Sequence, residues 1–228
     1  MRTLGVDFAA QPKTTAVCVI RWFRGRGQVE VLEAGVADER LRELAGDADR
    51  VGLDVPFGWP DAFVESIAAH RDSRPWPGYA SRQLRFRRTD LFVQERIGTW
   101  PLSVSTDRIG VAAFRAAALL SEWRVDRSGR GKFVEVYPRA ARRRFGLANA
   151  RSLVELQTRA PWLVLAAAQR ALCEVSEDCF DALIASLVAR AAALGLCEGV
   201  PAADRERAAR EGWIALPLEA ALERLPAC

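Results

Sequence analysis

Lysine and histidine are almost missing from this 228-residue chain: Lys13 and Lys132 are its only lysines and His70 its only histidine. A lone histidine argues against Ser-His-Asp and Cys-His mechanisms. His70 also falls at the end of a helix predicted over 61–70, where it reads as a cap rather than a catalyst. Five cysteines (Cys18, Cys173, Cys179, Cys197 and Cys228) are an odd number without any C-x-x-C pair. With one histidine they do not form a zinc pattern, and their mostly apolar surroundings mark them as reduced, buried small hydrophobes. No apolar run is long enough to span a bilayer. The chain opens directly on a strand-like pattern without the features of a signal peptide, so a cytoplasmic address and no membrane partner are expected. A G-x-x-x-x-G-K-[ST] loop and a dinucleotide fingerprint are both missing. The glycine-rich "SGRGK" (128–132) precedes a strand instead of opening a helix and reads as a turn. There is no internal repeat and no low-complexity tract.

Half of the residues are hydrophobic, enough for a substantial core. The length suits one domain over 1–228, with an Arg/Trp/Pro-rich insertion at about 71–106 and a C-terminal extension at about 198–228. The net charge of +4 is carried almost wholly by arginine. Guanidinium forks match phosphate oxygens, which leans the chain toward nucleic acid. GC-rich coding, which favours Arg and Ala together, is the bland account of the same composition.

The opening "RTLGVDFAAQP" (2–12) reads as a strand. The β-rich runs 14–23 and 28–35, joined by "RGRG", form a hairpin with it, so three antiparallel strands begin the fold. A short amphipathic helix follows over 37–46, then an apolar strand over 49–60 stopped by Pro56, Gly58 and Pro60, and a helix over 61–70. Residues 71–106 lack periodicity. Helices are predicted over 107–124 and, on a clean 3.6-residue period, over 180–195. A strand over 131–138 leads into the basic helix start "RAARRRFG". One or two helices are expected between 150 and 172, an edge strand at 211–217 and a terminal helix at 218–225. This order indicates an α/β fold with a mixed five-stranded sheet flanked by helices.

Acids stand inside three of these strands, where they are costly to bury. Asp7 lies in "GVDFA", Asp54 in "GLDVP" and Glu135 in "FVEVYP", each near the C-terminal end of its strand, the edge where α/β sheets commonly bind ligands. Gly5 and Ala9 share a strand face with Asp7 and leave room beside it. Asp181 flanks the apolar face of the late helix, and Asp178 lies a turn earlier. Carboxylates converging on one edge suit hard divalent cations, Mg²⁺ or Mn²⁺, which can serve phosphoryl transfer. Three of these acids have a structural alternative, a helix-dipole contact for Asp178 and Asp181 and an arginine salt bridge for Glu135; Asp7 and Asp54, in two independent strands, are harder to explain that way.

The segments "GVDFA", "GLDVPFGWP", "RRTD", "VEVYPRAA" and "FDALIASLVARA" resemble the domain-of-unknown-function 429 family, described as predicted nucleases of RNase H-like fold. The resemblance runs from Gly5 to about Pro217. It implies an RNase H-like domain with a metal site built from Asp7, Asp54 and Asp181; the strand position of Glu135 and the helix position of Asp178 make either an expected assisting residue. Resolvase-type relatives carry a D-x-x-D pair; here "EDCFDAL" offers either Glu177 or Asp178 for the additional ligand. Through "RRTD", Arg88 and Asp90 would help to shape the site.

In "RQLRFRRTD", Arg82, Arg85, Arg87 and Arg88 interleave with Phe86, so arginines could hold phosphates while Phe86 or Trp76 stacks on a base; a loop pinned by its own aromatics is the alternative. Arg139 begins a second basic stretch, "RAARRRF", which could meet a phosphate backbone or form a solvated helix face. The expected activity is metal-dependent nuclease cleavage of DNA or RNA. The rivals are a non-catalytic nucleic-acid-binding module on the same scaffold and an actin-like phosphotransferase, which lacks support because no glycine-rich phosphate turn follows Asp7.

Overall fold

The computed structural model describes residues 1–147 and 151–227; Cys228 lies outside them. Three antiparallel strands open the chain: β1 (Arg2–Asp7), β2 (Ala16–Phe23) and β3 (Arg26–Ala34). The β2–β3 turn is only Arg24–Gly25, with Gly25 at φ 79°, a left-handed conformation natural to glycine. After α1 (Asp38–Asp47), β4 (Arg50–Asp54) pairs parallel to β1. The helices α2 (Asp61–Arg71), α3 (Ser81–Arg85), α4 (Arg88–Ile97) and α5 (Ile109–Glu122) come next, and then β5 (Phe133–Glu135), parallel to β4. The chain continues through α6 (Pro138–Arg144), α7 (Leu153–Arg159), β6 (Leu163–Val164), α8 (Ala167–Val175), α9 (Glu177–Ala193) and α10 (Arg205–Glu211).

The sheet is mixed and has six strands in the order β5-β4-β1-β2-β3-β6, one more than expected. The extra strand, β6, is two residues long and lies between α7 and α8, inside a stretch whose helical composition hides it. The segment 71–106 also differs from the aperiodic expectation, because it contains α3 and α4. Arg87 N–H bonds the Asp90 carboxylate at the start of α4 (2.9 Å), and Gly98 ends it at φ 72°. The C-terminal segment holds α10, which the sequence does not announce. The expected edge strand at 211–217 reduces to two isolated bridges, Ile214 with Glu135 and Pro217 with Cys197, and the terminal helix to one turn at Leu222–Arg224.

Strand alternation sorts the core into two layers. Leu4, Val6, Val51 and Leu53 pack with α1 and α5 on one face. Cys18, Ile20 and Val134 pack with α9 on the other. A smaller cluster joins Phe92 and Val93 of α4 to Trp213, Ile214 and Leu216, so α4 and the C-terminal segment lean on one another. Cys18, Cys173 and Cys179 are buried and free, and burial pushes their thiol pKa values up. Among the described residues no helix is long and apolar enough to cross a membrane.

Candidate functional site

The site is built on two glycines. Gly5 and Gly52 are register partners across β1 and β4. A Cβ at Gly5 would stand 2.1 Å from both Ala182 O and Ser186 N, and one at Gly52 would stand 2.5 Å from Ala185 O. No side chain fits there, so the backbone of α9 settles directly on the sheet. The Thr3 and Ser186 hydroxyls lock the crossing at 2.8 Å. The room beside Asp7 that Gly5 suggests is therefore taken by α9, not left open for a ligand.

This close approach carries the first turns of α9 over the C-terminal ends of β1 and β4. Asp7 and Asp54 are the next register pair after Val6 and Leu53 and lie on the α9 face. Ser176 caps α9 by accepting from Cys179 N (3.2 Å), which places Asp178 and Asp181 above the two strand acids. Asp7 shares a side-chain hydrogen bond with Asp178, and its pKa is raised to about 8, first by burial and then by the charges of Asp181 and Asp178. Asp54 is raised well above the carboxylate range by burial and by Asp7 and Asp181. Among the described residues Asp54 accepts no hydrogen bond. Asp54 is half-buried at the cleft, where burial and the neighbouring acids favour its protonated form and the Arg142 charge acts the other way.

Asp181 differs. Arg142 donates to its Oδ1, and Arg151 donates through Nε (2.9 Å) and Nη2 (2.6 Å) to its Oδ2. Both oxygens are thus held by arginine. Among the described residues no group of three or more His, Cys, Asp or Glu side chains is arranged to hold a metal ion. Asp7 and Asp54 form a carboxylate pair with Asp178 adjoining Asp7; Asp181 as placed is an arginine anchor. Glu177 is exposed and paired with Arg151 (2.9 Å).

Glu135 borders the same cleft and its charge helps to raise the Asp54 pKa, but its carboxylate is held by other partners. It is the register partner of Leu53, so its side chain leaves the sheet on the face opposite Asp54. There Arg87 grips it at 2.7 and 2.9 Å, and Phe57 N–H donates to it at 2.9 Å. Asp90 takes the other side of the same guanidinium at 2.9 and 3.2 Å, and the Glu211 carbonyl takes the last N–H at 3.2 Å. All five Arg87 donors are used, and Arg87 and Asp90 are 2% and 0% exposed. Arg87 is not free to hold a phosphate, as the sequence suggested it could, and Asp90 faces Arg87; with Glu135 they form an ion cluster that ties β5, α4 and the C-terminal segment together. Arg88 bonds Asp204 (3.1 Å) and is likewise engaged.

A cleft of ≈ 470 Å³ opens beside Asp54 and Asp181, walled by Trp100, Leu102 and Tyr137 and by Arg139, Arg142 and Arg151. Arg139 is exposed at its rim. The other basic residues of 139–145 do not form a solvated face: Arg142 is buried, and Arg144 bonds Glu198. Nor is Phe86 free to stack on a base, since its ring lies 4.5 Å from that of Trp100 with Arg82 over the indole. Trp76 is exposed, edge-on to His70.

Arg142 and Arg151 are the residues that sequence reasoning passed over. For Arg142 a signal existed: it shares the helical period of Pro138, Ala141 and Phe145, all buried, and so belongs to the inward face of α6. For Arg151, just before α7, the local sequence offers none.

No curated protein and no solved structure matches this chain. A family model, that of the "Protein of unknown function (DUF429)" family, matches residues 5–206. The match takes in both glycines, all the acids of the cleft and the arginines around them, and the chain belongs to that family.

Proposed function

We propose that the protein is a divalent-metal-dependent nuclease, acting on DNA or RNA at the Asp7–Asp54 edge of an RNase H-like domain. What supports the fold is the opening antiparallel trio followed by parallel β4 and β5, with acids on β1, β4 and the late helix. The observation that carries the activity is the pairing of two desolvated strand carboxylates, Asp7 and Asp54, under the acidic start of α9.

Asp7 and Asp54 would hold a Mg²⁺ or Mn²⁺ ion, with Asp178 adjoining. Such an ion supplies a nucleophilic water at neutral pH and charge stabilisation at the leaving oxygen. The protein's own groups do the rest. At neutral pH Asp7 carries the proton it shares with Asp178, and must release it before its carboxylate can bind a cation. Asp181 fixes Arg142 and Arg151 beside Asp54, where their charge faces incoming phosphate. Arg139 meets the phosphate backbone at the rim, and Trp100 and Tyr137 give an apolar wall for a sugar or base.

Incubation with a panel of single-stranded, duplex and branched DNA and RNA tests this. Cleavage is expected with Mg²⁺ or Mn²⁺ and is lost in Asp7→Asn and in Asp54→Asn. Cleavage that survives both substitutions overturns the reading.

A further inference from the structure

A second polar pocket lies at the other end of the same strands. β4 runs from Arg50 to Asp54, so its two ends are about 13 Å apart. At the Arg50 end a chamber of ≈ 160 Å³ is walled by Arg50, Ser128, Arg130 and Trp213. It shares Ser128, Arg130, Gly199 and Val200 with an outer cavity of ≈ 370 Å³ that Arg205 also lines.

The charges here do not balance. The Arg50 guanidinium is held by two main-chain oxygens, of Gly129 (2.9 Å) and Gly131, while its Nε is buried without a partner among the described residues. Burial lowers its pKa, as expected for a cation short of a counter-ion. Arg130 bonds only the Ser128 hydroxyl (3.1 Å), and among the described residues neither it, Arg50 nor Arg205 has a carboxylate partner. Glu198, the acid in the wall, is already taken by Arg144 and Arg96. Trp213, 3% exposed, adds an indole Nε1–H that is also buried and unpaired among the described residues.

Arg87 and Arg142, buried near the carboxylate cleft, each meet an acid at close range, whereas the buried Nε of Arg50 meets none among the described residues. Arg50 and Arg130 on the chamber wall and Arg205 on the outer cavity, none paired with an acid among the described residues, together with the unsatisfied Arg50 Nε and Trp213 Nε1 of wall residues, suit an anion from outside. We propose that this pocket binds a phosphate group: the inner chamber, set against the "SGRGK" turn, takes the phosphate itself, and the outer cavity with Arg130 and Arg205 takes what the phosphate is attached to. It is separate from the carboxylate cleft and does not depend on that cleft's chemistry.

Calorimetric titration with inorganic phosphate, at ionic strength held constant with chloride, is the direct test. One saturable site per chain is expected. Arg130→Gln with Arg205→Gln weakens it roughly tenfold, as loss of charge-assisted contacts should, and Arg50→Gln removes it. Because Arg50 also braces the turn, the outer double variant keeps the test valid if Arg50→Gln does not fold. Asp54→Asn leaves phosphate affinity unchanged, which separates this pocket from the cleft. Titration with a nucleoside monophosphate, and with an end-phosphorylated oligonucleotide against its unphosphorylated form, identifies the source of the phosphate. No saturable binding, or binding lost in Arg139→Gln but kept in the outer double variant, overturns the proposal.

Discussion

Asp7 and Asp54 are register partners on adjacent parallel strands, and both are held as desolvated acids by the same helix. The arrangement follows from Gly5 and Gly52 two residues earlier: the contact that removes space at the glycines brings Asp178 and Asp181 over the acids. Burial and like charge then act together, and the pair cannot ionise fully at neutral pH without a compensating cation.

Stability should therefore depend on pH in a defined direction. The Asp7 pKa is about 8 in the folded protein, against about 3.9 in an unfolded chain. Between those values the folded state binds more protons than the unfolded state, so stability falls as pH rises from about 4 to 8. Asp7→Asn cannot lose a proton and should flatten the curve. In chelator, we expect the variant to gain on the wild type through this window, by up to about 5 kcal/mol at pH near 9, with little difference near pH 4. Urea midpoints across that range measure it; a wild-type curve that rises through the window contradicts the placement of Asp7.

Cation binding should release protons. The Asp7–Asp178 hydrogen bond needs a proton that a bound Mn²⁺ would displace. Calorimetric titration of Mn²⁺ at neutral pH in buffers of differing ionisation enthalpy should show about one to two protons released per ion, from Asp7 and Asp54. Asp7→Asn and Asp54→Asn should abolish the binding, whereas Glu177→Gln should retain it. Binding without proton release would mean that Asp7 is already ionised.

The two glycines give a test of the seat itself. Gly5→Ala places a methyl group into the α9 backbone and should cost about 3 kcal/mol or more, since neither partner can give way. Gly46 lies in α1 with nothing within 4 Å of a Cβ, so Gly46→Ala should stabilise by up to about 1 kcal/mol. Thermal midpoints of the two variants should move in opposite directions.

Much of this was legible in the chain because strand alternation and helical period are local signals. The three opening strands, β4, β5 and α9 all announce themselves, and so do Asp7 and Asp54, since an acid inside an apolar strand has few structural uses. The same alternation separates Glu135 from Asp54, but only once the register of β5 against Leu53 is known, and register between distant strands is not a local property. The partner of Glu135 lies 48 residues away at Arg87, which an arginine-rich sequence cannot single out. β6 was hidden because two residues carry no period, and the role of Gly5 was misjudged because a glycine in a strand signals close approach without saying of what.

The Arg87 cluster should then prove structural. Arg87→Met would leave Asp90 and Glu135 buried without their counter-charge, at an expected cost of about 3–5 kcal/mol. Glu135→Gln leaves Arg87 paired with Asp90 and keeps an amide oxygen for the Phe57 N–H, so about 1–2 kcal/mol is expected. The ranking, not only the size, is diagnostic: a ligand of the metal would show little stability loss on Glu135→Gln but a large loss of Mn²⁺ affinity. We expect the reverse, with Mn²⁺ affinity close to wild type in Glu135→Gln and lost in Asp54→Asn. Paired urea denaturation and Mn²⁺ titration of the two variants decide between a strand acid that binds the cation and one that holds β5 to α4.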